Sequence, residues 1–98
     1  MKDYKIERTI IHGRDLEKLC HMLGKRSNIP KKNWGYRNFF AAKEGDIESM
    51  ERLVKAGLAK KDLKRWGMQY YYATKEGCKA IGLHKAAIER AMERWETL

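Results

Sequence analysis

Leu16, Leu19, Cys20 and Leu23 fall at i, i+3, i+4 and i+7, which is one face of a helix. Asp15 stands before them as a capping residue and Gly24 after them as a stop, so the pattern predicts a helix over 15–23. Ile47, Met50, Val54 and Leu58 form a second stripe, with Leu53 beside it. It predicts a helix over 46–56 that opens on Asp46 as N-cap and ends at Gly57, where positive φ is expected. From Leu83 onward, Ala87, Ile88, Ala91, Met92, Trp95 and Leu98 form a third stripe. Glu89, Arg90, Glu93 and Arg94 sit mainly on the opposite face, and a helix is expected over 83–97.

Between the second and third stripes the period changes. Residues 68–73, with three consecutive tyrosines, favour a strand, because aromatic side chains suit a pleated, half-buried surface. Residues 58–61 leave the helix as a short extended stretch, with Leu58 pointing into the core. The basic segment 62–67 reads as the turn of a hairpin. Alternation places Tyr70 and Tyr72 on one face and Tyr71 on the other, and one face should pack on the helices. Thr74 caps the next helix, which Gly77 and Gly82 weaken; Gly77 there would allow close packing on the hairpin. Residues 24–38 read as a connection, punctuated by Gly24, Asn28, Pro30, Asn33 and Gly35. The apolar run 39–42 is too short to distinguish strand from helix. Residues 1–14 fit a short strand or an ordered arm equally.

The order helix, connection, helix, hairpin, helix carries a resemblance. Leu53, Gly57 and Leu58, followed by Thr74 and Gly77, are similar to the turn out of the recognition helix and the strand-to-helix junction of winged helix-turn-helix proteins. A narrower set, residues 19–23, Tyr36-Arg37-Asn38-Phe39-Phe40 and residues 53–58, resembles small uncharacterised proteins of bacteriophages and prophages. That resemblance implies a fold and a phage-type origin but lends no activity. The 98 residues leave room for one core. The expected fold is thus mainly α with a small β-hairpin or sheet, a single winged-helix domain over 1–98. Its core spans about 15–83, with the C-terminal helix over 83–97.

Charge adds a partner to this picture. Lys and Arg number 22 against 13 Asp and Glu, a net +9, which favours polyanions. The excess is spread along the chain, so it must collect on a folded face. Lys25, Arg26, Lys31, Lys32 and Arg37 lie in a stretch without acids, and Lys60, Lys61, Lys64 and Arg65 flank Asp62 alone in the wing region. In a winged helix these residues would meet phosphates, and Trp66 would stack on a base or sugar or fold back on the core. On the candidate recognition helix the outward set is Glu48, Ser49, Glu51, Arg52 and Lys55. Of these, Ser49, Arg52 and Lys55 are the expected groove contacts. The two glutamates are costly there unless they accept from cytosine amino groups. Two readings follow: a phage-type regulator that binds nucleic acid, duplex DNA foremost, or a module of the same fold that binds a host or phage protein. A continuous positive face favours the first and interrupted patches the second.

Other chemistry is not expected. Cys20, Cys78, His12, His21 and His84 have no paired metal-ligand spacing, and no Gly-rich phosphate loop occurs, so neither enzyme activity, metal nor cofactor is anticipated. Two separated cysteines and a polar opening segment suggest reduced thiols in the cytoplasm, of a bacterial host if phage-encoded. No apolar run approaches the ~20 residues that span a bilayer, so no membrane partner is expected. The third stripe needs cover. It can pack on the first helix, or Ile88, Met92 and Trp95 can meet a two-fold mate in a homodimer.

Overall fold

The computed structural model describes residues 4–6 and 9–96, with side chains over 11–94. Among these residues it is a small α/β protein with four helices and a three-stranded antiparallel sheet. The opening segment, which local pattern left open, forms two strands, β1 (Tyr4–Ile6) and β2 (Thr9–Ile11), paired antiparallel. Helix α1 follows (Gly13–Leu23), then strand β3 (Phe40–Ala42), helix α2 (Ile47–Lys55), strands β4 (Ala59–Arg65) and β5 (Met68–Ala73), and helices α3 (Lys75–Ala80) and α4 (Lys85–Glu96). The sheet order is β3-β5-β4. No helix of the described residues is long and apolar enough to cross a membrane.

The helical stripes are the core. Leu16, Leu19 and Leu23 of α1 and Met50 and Leu53 of α2 are buried together with Leu58, Tyr71, Cys78 and Leu83. On α4, Ala87 and Ala91 are fully buried, and Ile88 and Met92 pack against the same core. The inward side of that stripe is therefore covered within one chain. Trp95 lies in α4, but its side chain is outside the described residues, as is Leu98.

Several boundaries differ from expectation, each for a local reason. Helix α1 starts at Gly13, so Asp15 is not its cap. It sits in the first turn, where its Oδ2 accepts from the His12 N–H at 3.1 Å. Asp46 is the N-cap residue of α2 as expected, but its side chain makes no cap bond to that helix and instead reaches backward to accept from the Lys43 N–H at 3.2 Å, closing a 3-10 turn over Glu44–Asp46. The basic segment 62–67 is mostly strand. Lys61 pairs with Tyr71 and Lys64 with Gln69, so one extra residue bulges from β4, and only Trp66 and Gly67 turn the chain. Both have positive φ, 49° and 75°, as a two-residue type I′ hairpin turn requires. Residues 40–42 of the short apolar run become the edge strand β3, fixed by pairing with β5.

Two glycines hold the hairpin to the helices. Gly57 leaves α2 with φ 79° in open space. Gly77, inside α3, lies so close to the hairpin that a Cβ there would stand 2.0 Å from the Leu58 carbonyl oxygen.

Candidate nucleic-acid interface

Helix α2 is amphipathic, and the polar residues bordering its apolar stripe are drawn inward. Ser49 is buried, and its hydroxyl donates to Asp15 Oδ1. Arg52 donates from Nε to Asp15 Oδ2 and from Nη2 to Asp15 Oδ1, both at 2.8 Å, while its Nη1 reaches Glu48 at 3.2 Å. Burial alone would raise the Asp15 carboxyl. The hydrogen bonds from Arg52, Ser49 and the His12 N–H, with the Arg52 charge, outweigh it and hold the pKa at about 2. Ser49 and Arg52 are thus not outward groove contacts. They satisfy a buried carboxylate, which is the cheaper state for all three groups. Of the expected α2 contacts only Lys55 is exposed, and it shares that surface with Glu48.

Glu51 also turns toward the sheet. It accepts from the Tyr71 hydroxyl at 2.6 Å and pairs with Lys61 at 3.0 Å. The Tyr71 hydrogen bond, with Lys61, holds the Glu51 carboxyl below its ordinary range. Lys61 and Lys64 share the sheet face toward α2 and line a cavity of about 320 Å³ with Glu44, Ile47, Gln69 and Tyr71. That cavity is of mixed charge.

The opposite face of the hairpin differs. Phe39 and Tyr70 lie nearly parallel, centroids 6.3 Å apart, and the Trp66 ring stands edge-on to Tyr70 at 6.2 Å. The Arg37 guanidinium covers Phe39 at 4.3 Å, and that of Arg65 lies 5.8 Å from the Tyr70 centroid. Trp66 is 81% exposed, so it does not fold back on the core. Lys60 and Lys64 on the same hairpin are exposed.

The connection divides. Arg26, Lys31 and Lys32 are exposed. Lys25 is turned inward: its ammonium donates to the Ile81 carbonyl and lies 5.2 Å from the Trp34 ring centroid. Residues missed by the sequence reading, Arg90 and Arg94 of α4, line an open basic groove of about 570 Å³ with Lys32, Asn33 and Tyr36. Arg90 holds the connection in place by donating to the Lys32 and Trp34 carbonyls, at 2.6 Å and 3.0 Å from Nη2.

Cys20 and Cys78 are free thiols, and burial pushes Cys78 up to about 11. Among the described residues no group of three His, Cys, Asp or Glu side chains is placed to hold a metal ion. Compared with protein-family models, with curated proteins and with solved structures, the chain matches none of them.

Proposed function

We propose that this chain is a winged-helix-type protein that binds nucleic acid, duplex DNA foremost, as a small phage-type regulator. The β4–β5 hairpin is its wing and principal contact. The observation that carries this reading is Trp66, an 81% exposed indole on a residue with φ 49°. A non-glycine residue in that conformation costs about 1–2 kcal/mol, and a large exposed apolar ring brings no compensating burial. Arg65 adjoins it, Lys60 and Arg65 lie on the strand face of Tyr70, and Arg37 stands over the neighbouring Phe39. Rings interleaved with cations suit stacking beside a phosphate backbone. The sheet order and a hairpin that follows α2 support the winged-helix layout. Anisotropy of a labelled random duplex at low salt tests the reading: saturable binding that weakens with salt is expected, and no binding contradicts it.

The second reading, a module that binds a host or phage protein, is favoured by the α2 surface. There Ser49 and Arg52 are consumed internally, and Glu44 and Glu48 face outward. Salt-insensitive binding to a protein, with no DNA binding, is its signature.

A further inference from the structure

The outer hairpin face holds a cavity as well as a surface. Among the described residues its walls are Asn38, Phe39, Asp62, Arg65 and Tyr70 to Tyr72, around about 190 Å³. Pockets that enclose drug-sized ligands run to about 300–1,000 Å³, so this one suits a single heteroaromatic ring system rather than a whole nucleotide. Its floor is rigid. Asn38 is buried, donates to the Ala73 and Ala91 carbonyls at 3.1 and 3.2 Å, and accepts from the Ala73 N–H at 2.7 Å. Gln69 donates to the Asp62 carbonyl and steadies the bulge that carries Asp62.

The chemistry of the walls is specific. Phe39 and Tyr70 supply aromatic surface at similar inclination, 24° between planes. Arg37 and Arg65 sit against those two rings, so a ligand there meets positive charge at the cavity margin. Asp62 adds an acceptor and Arg65 a donor for a polar ring edge. An aliphatic peptide side chain would use the rings but neither polar group. A paired base, stacked inside a duplex, could not reach the rings at all.

We infer that this cavity receives one unpaired base of a DNA strand, stacked against Phe39 and Tyr70, while Arg37, Lys60 and Arg65 on the same face hold the adjoining phosphates. The inference rests on the nucleic-acid reading above and narrows it. The protein prefers duplex that carries an extruded or unpaired base over perfectly paired duplex.

Two labelled duplexes of one sequence test this by fluorescence anisotropy, one fully paired and one with a single unpaired adenine at its centre. The unpaired base is expected to tighten binding by roughly tenfold or more, the scale of one base–aromatic stack. Tyr70→Ala is expected to abolish the preference, so that the variant binds the two duplexes alike whatever its affinity for paired duplex. Phe39→Ala, at an exposed position that spares the core, is expected to do the same, with thermal melting as the check on folding. Equal wild-type affinity for the two duplexes overturns the inference and leaves the nucleic-acid reading standing. A preference that survives both substitutions also overturns it, because the base then binds elsewhere. Binding to neither duplex overturns both readings together.

Discussion

Arg52 grips Asp15 through two parallel hydrogen bonds of 2.8 Å, and so ties α2 to the first turn of α1 across 37 residues of sequence. The carboxylate is fully buried and takes two further donors, the Ser49 hydroxyl and the His12 N–H. This is an internal brace between helices, and it removes from the α2 surface the two polar residues best suited to a DNA groove.

Breaking the brace from one side should cost more than its surface position suggests. Arg52→Ala leaves a buried carboxylate without its cation, for which about 3–5 kcal/mol is typical. The remaining Ser49 and His12 donors place the expected loss at the lower end. Urea denaturation measures it, and a loss under about 1 kcal/mol would show that Asp15 is adequately solvated without Arg52.

The same carboxylate makes stability depend on acid. Its folded pKa of about 2 lies below the ordinary 3.8, so the group favours the folded state when ionised. That contribution, about 2 kcal/mol, is complete above pH 4 and is lost as pH falls toward 2. Thermal melting across this window should show the decline in wild type and a shallower one in Arg52→Ala. Parallel profiles would assign acid sensitivity to other carboxylates.

Two glycines near the hairpin should resist substitution for different reasons. Gly77→Ala adds a better helix former, yet its Cβ would meet the Leu58 carbonyl oxygen at 2.0 Å, so the variant is expected to be strongly destabilised. Gly57→Val meets no neighbour within 4 Å, and its expected cost of about 1 kcal/mol or more comes from backbone conformation at φ 79° alone. Melting midpoints rank them, and a Gly77→Ala protein as stable as wild type would contradict the close contact.

Helix α4 is expected to belong to the core. A chain ending after Leu83 loses the buried Ala87 and Ala91, the packing of Ile88 and Met92, and the hold of Arg90 on the connection. Circular dichroism and sedimentation should find that chain unfolded or aggregated. A folded truncated monomer would free the helix for another role.

The helices were legible because their apolar stripes repeat at the helical period, and Leu19, Leu53 and Ala91 fall inside as that period requires. Strand β3 was not, since three residues carry no period, and only pairing of Phe40 with Tyr71 fixes it. Residues 62–65 read as a turn because the bulge in β4 breaks alternation. The inward roles of Ser49 and Arg52 depend on a partner far away in sequence. The available signal was their place at the edge of the apolar stripe, where polar side chains are half-covered. Tyr70 and Tyr72 were legible as one face of a strand, whereas Phe39 and the guanidinium of Arg37 join Tyr70 only through the β3–β5 register.

The central claim, that the hairpin is a DNA-binding wing, is tested most directly by one titration. Wild type and a variant with Lys60, Lys64 and Arg65 replaced by alanine are each bound to the same random duplex across a salt series. Lys61 is kept, since it is paired with Glu51. The account predicts weaker binding by the variant on every sequence, and a slope of log affinity against log salt shallower by up to about 0.9 per lost phosphate contact. Identical affinities and slopes for the two proteins would contradict it.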